Sequence, residues 1–401
     1  MSRDLQLWLR VVPAFATGYF LSYGLRTVNA VIAPELMREL GISSADLGLL
    51  TSAYFLAFGI FQLPLGLLLD RFGPRRVEAA LLLVAAAGCA LFGVGRSLET
   101  LALARALIGL GVSACLMASF KAFSQWFPSE RLPSLTGTIM VAGGLGALSA
   151  SVPVEAALPL IGWRGVFFLV AVLLLATAAF LMTVPERLAE GRGEPLAEQI
   201  RGLVAILRGR IFWRFAPQAC LIVGGFMAIQ GLWVVPWLIA VNGASRSDAA
   251  GILFVMGLSM LAGFLFVATC TTALARRGIS PMRILSAGMG LALAVELAIL
   301  LDLLPPAWLW ALLGLAFSLG NIAYSQLTGN YPVSMSGRVN TALNLLVFIG
   351  AFGLQWGFGA AVDSFAAAGF ARAEAFRWTF GILLAFQTIS FAWFLRPPPP
   401  S

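Results

Sequence analysis

Apolar residues fall into twelve runs of about 20 positions, separated by short connectors marked by Gly, Pro or charge. The runs cover 11–34, 46–69, 76–95, 101–123, 133–157, 164–184, 213–240, 249–272, 282–303, 306–328, 340–363 and 375–396. A hydrocarbon layer about 30 Å thick takes about 20 helical residues to cross, so each run predicts one crossing. Lipid offers no partner to a backbone amide, which makes α-helix the conformation expected for each. The first run follows Met1–Arg10 directly. It is too long for the apolar core of a signal peptide and has no small-residue cleavage site, so it is expected to stay as helix 1.

The longest polar stretch, 185–212, contains Arg187, Gly191, Arg192, Gly193, Glu194 and Pro195 and divides six runs from six. An all-α membrane protein is therefore predicted, with twelve transmembrane helices in two six-helix bundles, 1–184 and 213–401, joined by a 185–212 linker. The halves echo each other. Gly41-Ile-Ser-Ser-Ala-Asp46 before helix 2 is answered by Gly243-Ala-Ser-Arg-Ser-Asp248 before helix 8, and Asp70-Arg71-Phe-Gly73 by Ala275-Arg276-Arg277-Gly278. Asp46 and Asp248 both read as helix-start residues. Lys and Arg gather on connectors that share a side with both termini and the linker, which places that side in the cytoplasm. The expected setting is a bacterial inner membrane, and the expected unit a monomer.

Composition agrees with lipid as the solvent: 60% hydrophobic against 11% charged residues leaves too little polar surface for a soluble globule of 401 residues. The net charge of +8 sits in short connectors and forms no dense basic stripe, which argues against nucleic acid. Cys89, Cys115, Cys220 and Cys270 all lie in apolar runs without paired spacing, so neither a disulfide framework nor a zinc site is expected. No P-loop pattern, metal triad or activated nucleophile occurs, so the chain is expected to be neither a nucleotide-driven pump nor an enzyme, and to hold no cofactor. Its expected partners are a small-molecule solute and the bilayer.

Between runs two and three lies Gly66-Leu-Leu-Leu-Asp70-Arg71-Phe-Gly73-Pro-Arg75-Arg76. This charged hairpin resembles the signature loop of the major facilitator superfamily of transporters. Three further stretches extend the resemblance over nearly the whole chain: Arg105-Ala-Leu-Ile-Gly109-Leu-Gly111, Trp126-Phe-Pro128-Ser-Glu130-Arg131 and Gly162-Trp163-Arg164. The resemblance implies a secondary transporter working by alternating access, with its solute near the midplane between parallel repeats. It also implies that Asp70, Arg71, Gly73, Arg75 and Arg76 form a gate. Asp70 is then expected against the start of helix 11, near Gly337 to Asn340, with Gly73 at positive φ. A loop whose charges only set topology is the alternative.

Arg26 is the most telling single residue, because a cation deep in a span costs about 3 kcal/mol or more unless it faces a polar cavity or a partner. Tyr19, Tyr23 and Arg26 share one helical face at i, i+4 and i+7, with Asn29 at its edge. A guanidinium supported by phenols suits a carboxylate or phosphate on the solute, or a protein carboxylate that locks the bundles. Tyr23-Gly-Leu-Arg26-Thr-Val-Asn29-Ala-Val-Ile-Ala-Pro34 is similar to helix 1 of the organophosphate/phosphate antiporters and the anion:cation symporters. That similarity implies anion binding by Arg26. The basic residue those phosphate antiporters carry in helix 7 is missing, which argues against phosphate.

Helix 7 presents Phe226, Gln230, Trp233 and Trp237 on one predicted face, helix 10 presents Asn321, Tyr324, Ser325 and Thr328, and helix 11 presents Asn340, Asn344 and Gln355. These amides and rings either meet the solute or join helices; Trp237 is equally an interfacial anchor. Helices 1, 4, 7 and 10 are thus expected around the cavity, with helix 11 adding Asn344. Arg105 is a secondary solute candidate that could instead pair or snorkel, and snorkelling suits Lys121.

There is no His to titrate near neutrality. Among Glu155, Glu296, Asp302 and Asp363, the candidates for proton coupling are Glu155 and Glu296; sodium coupling and uniport stay open. Three other functions also stay open. Met256 and Met260 would suit Cu(I) as soft ligands, with packing as the alternative. Gly143-Gly144-Leu-Gly146 lacks the Gly-Pro pair of the exporters' helix 5 motif, which weighs against drug or metabolite efflux and leaves close helix packing. A transporter-like sensor is the third.

Overall fold

The computed structural model describes residues 3–128, 131–185, 196–331 and 335–396. Most of the polar core of the predicted linker, 186–195, lies outside them, as do Ser129 and Glu130 of the Trp126–Arg131 stretch. Every regular element among the described residues is helical. The first bundle contains α1 (Arg3–Leu40), α2 (Ser44–Phe72), α3 (Pro74–Val94), α4 (Leu98–Trp126), α5 (Leu132–Ser149) and α6 (Val152–Met182). The second contains α7 (Arg210–Asn242), α8 (Arg246–Arg276), α9 (Pro281–Leu300), α10 (Pro306–Thr328), α11 (Ser336–Ala367) and α12 (Arg372–Leu395). A short helix, Leu196–Leu207, precedes α7 and meets the start of α11, where Gly202 lies against Arg338.

Ten of the twelve are long and apolar enough to cross a membrane by themselves; α1 and α5 are the exceptions. α1 is long enough, but Tyr19, Tyr23 and Arg26 lower its mean hydropathy. α5 is shorter than the predicted 133–157 run. A turn at Ala150–Ser151 ends it, and residues 152–157 instead open α6, whose axis breaks at Gly162 (φ 64°). The Gly-Trp-Arg stretch at that break clamps α6 to α1: the Trp163 indole donates to Glu39 at 2.7 Å, and Arg164 pairs with the same carboxylate.

The internal repeat is visible in the caps. Gly41 and Gly243 both take positive φ (62° and 64°). Ser43 then caps α2 and Ser245 caps α8, each exchanging hydrogen bonds with the Asp three residues on. Asp46 and Asp248 thus start their helices from the first turn, while the capping position itself belongs to serine. Gly73 and Gly278 repeat the pattern at the other ends of α2 and α8, with φ of 81° and 85°.

Large apolar side chains such as Leu160, Trp308 and Ile389 cover the outer surface, as expected of faces turned to lipid. Between bundles, α2 runs against α11, α1 against α7, and α5 against α8. Inside the first bundle, Gly146 brings α5 onto α1: a Cβ there would stand 2.1 Å from the Phe20 carbonyl oxygen. The α5 glycines therefore serve close helix packing. Gly146→Val should force the helices apart and cost about 1–3 kcal/mol. Gly357→Ala, where nothing lies within 4 Å, should be neutral, and thermal unfolding in detergent compares the two.

Candidate functional site

A cavity of about 1050 Å³ lies between the bundles. Its wall reaches from Arg26 and Phe58 to Asp70, Lys121 and Arg338, so it opens toward the side that carries the 66–76 hairpin. The opposite side is sealed. There the Asp363 carboxylate, near the end of α11, accepts the backbone N–H groups of Ser44 (3.2 Å) and Ala45 (2.6 Å) at the start of α2. Gly359 lets the two backbones touch at Ser44, Gln355 donates to Thr51, and Arg246 of α8 pairs with Glu35 of α1, its Nε 3.7 Å from Glu155 of α6.

Arg26 is half-buried in the cavity wall. Its guanidinium carbon stands 4.7 Å from the Tyr23 ring centre, 5.4 Å from Phe58 and 5.6 Å from Phe348, so rings from α1, α2 and α11 surround it. None of the ion pairs among the described residues involves it. Its charge is met by the rings and by the Tyr23 and Tyr54 hydroxyls, and beyond these by whatever enters the cavity. Tyr19 and Tyr23 also line the wall, edge to face with centroids 5.8 Å apart.

Arg105 does not reach the cavity. It is 1% exposed, donates to the Leu25 carbonyl at 3.0 Å and stands over the Tyr54 ring at 4.9 Å, bracing α1 one residue before Arg26. Tyr54 in turn donates to the Ser22 carbonyl at 3.3 Å. Asn29 is fully buried outside the wall, with neither amide atom hydrogen-bonded among the described residues.

On the facing wall, Tyr324 donates to the Asn344 side chain at 3.1 Å and Thr328 to Asn340 at 2.7 Å, with Asn321 beside them. The α7 face read from the sequence is not there. Gln230 is buried with its amide nitrogen 3.7 Å from the Met260 sulfur, and Trp233 stacks on Phe358 and donates to the Gln355 carbonyl at 2.9 Å. Trp237 is packed against Phe380 inside the bundle and is no interfacial anchor. Trp233 also lies against Gly48 of α2, so this part of α7 belongs to the sealed end, and α7 meets the cavity through Val223 and Met227. The helix contains two π-helical turns, Ala219–Val223 and Ile229–Trp233, that widen it locally. Met256 and Met260 are fully buried outside the wall.

The wall also holds Phe58, Gln62, Met140, Thr341 and Phe348, which sequence reasoning missed. Gln62, an amide in an apolar run, was the available signal; it donates to the Ser113 carbonyl at 3.1 Å where α4 breaks. α10 breaks likewise at Asn321, so irregular backbone faces the cavity from both bundles.

The carboxylates expected to couple protons lie elsewhere. Glu155 belongs to the sealed side with Arg246, and Glu296 is buried in α9, accepting from Gln387 at 3.3 Å away from the cavity. At the hairpin, Asp70 pairs with Lys121 of its own bundle and not with α11, although Gly337 and Arg338 share the cavity mouth with it. Lys121 is therefore paired as well as near the surface. Arg75 donates to the Val184 carbonyl at 2.7 Å, while Arg71 and Arg76 are exposed.

The family model of the Major Facilitator Superfamily matches residues 15–354. A hexuronate transporter of Escherichia coli strain K12 is 30% identical over 159 residues, 40% of this chain and 37% of that protein. A galacturonate transporter of Dickeya chrysanthemi is 30% identical over 161 residues, 40% of this chain and 47% of that protein. The matched stretches thus span less than half the length of these relatives. Among solved structures, a D-xylose-proton symporter superposes over 98% of both chains with a TM-score of 0.75 at 16% identity. A bacterial homologue of the human lysosomal transporter Spinster, inward-facing and unoccupied, gives 0.72 at 20% identity over 96% of this chain and 95% of that one. A cysteine placed at Thr341 or Asn344, with the native cysteines replaced, should react with a water-soluble maleimide from the hairpin side. One at Gln230 or Trp233 should stay unreacted, and equal labelling at all four would contradict the wall described.

Proposed function

The chain belongs to the Major Facilitator Superfamily and is a multi-pass membrane transporter, and from that premise we propose that it carries a small organic anion of the sugar-acid class by alternating access. The observation that carries this reading is Arg26: a guanidinium on the cavity wall, with no carboxylate paired to it among the described residues. A solute carboxylate would meet its planar fork, while the rings of Tyr23, Phe58 and Phe348 shield the pair from water and strengthen it. Hydroxyl groups on the solute body would meet the hydrogen-bonding wall of Asn321, Tyr324, Asn340 and Asn344. The similarity to hexuronate and galacturonate transporters supports the same class.

The positive-inside pattern supports a bacterial inner membrane with both termini cytoplasmic, which makes the conformation inward-open. The proposed units are bundles 1–184 and 213–401 joined by the 185–212 linker, working as a monomer. Asp70, Arg71, Gly73, Arg75 and Arg76 then act as the cytoplasmic gate. When the cavity closes on that side, Asp70 leaves Lys121 for the start of α11, repeating the contact that Asp363 makes with α2.

Uptake of labelled D-galacturonate and D-glucuronate by proteoliposomes tests the assignment. Arg26→Lys keeps the charge but loses the fork and should weaken binding by about 1–3 kcal/mol. Arg26→Ala should abolish uptake while the protein remains folded. Wild-type uptake by Arg26→Ala would refute the role given to this residue.

A further inference from the structure

We propose that Glu78 is the proton-binding carboxylate of this carrier, taking a proton from the cavity water when the cavity is open on the hairpin side. The proposal rests on the transporter reading above. Glu78 lies on α3 in the interior of the first bundle, fully buried, and neither of its carboxylate oxygens has a hydrogen-bond partner among the described residues. No ion pair among those residues includes it. An ionised carboxylate in such a place, inside a bundle surrounded by lipid, would be desolvated with only a weak thiol donor in exchange. Binding one proton removes the charge: the carboxylate gains an O–H bond, and the cavity water or hydronium that supplied the proton loses one.

The surroundings fit a proton and nothing larger. From α1, Gly18 leaves the room: a Cβ there would stand 2.2 Å from the Glu78 Oε1. From α4, the Cys115 thiol faces it and is the one titratable group acting on it; neither α2 nor α6, which pack on α3, brings a charged or titratable group to bear. Other acidic groups in or near the spans are committed elsewhere: Asp70 to Lys121, Glu35 and Glu155 to Arg246, Asp363 to the start of α2, and Glu296 to Gln387. Glu78 alone among these combines full burial with no charged, amide or backbone partner, the Cys115 thiol being its polar neighbour.

Residues next to Gly18 and Cys115 reach the cavity. Tyr19, next to Gly18, lines the cavity, and so do Ser113 and Leu116, which flank Cys115 where α4 is broken. A proton entering by this route neutralises Glu78 while a solute anion sits at Arg26, so carrying both together moves no net charge from those two. Two buried groups of the first bundle, a cation and an acid, would then answer the two cargoes.

Two measurements test the proposal. Infrared spectra of the purified protein in H₂O and D₂O should show a protonated carboxyl stretch at neutral pH that Glu78→Gln removes and that Glu296→Gln leaves in place. An unchanged band in Glu78→Gln overturns the proposal, whatever the solute is. Should Glu78→Gln fail to fold, Glu78→Asp should move the band, and an unmoved band in that folded variant overturns it equally. In proteoliposomes given labelled D-galacturonate, one unit of inside-alkaline pH gradient should drive about tenfold accumulation through a one-proton couple. Glu78→Gln should lower the ratio of gradient-driven accumulation to solute exchange by that factor, and an unchanged ratio overturns the proposal. If the wild type moves no galacturonate at all, the solute assignment fails, and the infrared result alone decides the fate of Glu78.

Discussion

The contact between the Asp363 carboxylate and the start of α2 governs the arrangement of everything else. The first amides of a helix have no partner within it and carry the positive end of the helix dipole, so a carboxylate delivered by α11 satisfies both needs at once. Gly359 allows the backbones to touch at that point, and Arg246 ties α8 to α1 and α6 nearby. With the bundles pinned there, they must diverge toward the hairpin, and the cavity is the space that divergence leaves. α2 carries an acidic residue at its other end, Asp70, which shares the cavity mouth with Gly337 and Arg338 near the start of α11. In the gate proposed above these would form the reciprocal contact, whereas here only the Asp363 contact is made.

Two arginines inside the first bundle show how low dielectric sorts similar residues into different work. Arg105 is sealed by the Leu25 carbonyl and the Tyr54 ring, which together offset much of its burial and make it a brace. Arg26, one residue past the braced carbonyl, has rings on several sides but no anion among its described partners. The first arginine thus fixes the backbone on which the second is presented. Tyr54 joins them physically, its ring under Arg105 and its hydroxyl on the Ser22 carbonyl one turn before Arg26.

Much of the fold was legible because membrane solvation imposes a strong and regular signal. Span existence and the two-bundle plan follow from apolar runs about 20 residues long and the polar stretch that divides them, and the repeated Gly-x-Ser-x-x-Asp helix starts from a pattern a few residues long. The α5–α6 boundary was misplaced because the apolar run was read through the break at Ala150–Ser151, although Pro153 and Glu155 just beyond it mark a helix start. Of the candidate site residues, Arg26, Tyr19, Tyr23, Asn321, Tyr324 and Asn344 lie on the cavity wall, as polar groups at helical spacing have few other uses in lipid. The α7 residues do not, because amides and rings at helical spacing also serve packing: Gln230 meets Met260, and Trp233 meets Gln355 at the sealed end. Phe58 and Phe348 are aromatic residues among many, and their stacking across the bundle interface at 4.3 Å leaves no trace in the sequence. Glu78 escaped notice because it sits close to the start of its predicted run, where an acidic residue ordinarily reaches water.

The size of the cavity carries a last consequence. A single solute of the proposed sugar-acid class would fill only a small part of 1050 Å³, so in this state much of the lining around it stays in contact with water. Its affinity for the open carrier would then fall short of that for a closed one, because part of the available interaction is realised only after the walls approach. That deferral is what keeps the carrier turning over. A protein that gripped its cargo fully while open would have no reason to close around it, and one that gripped it no better when closed would never commit to the other side.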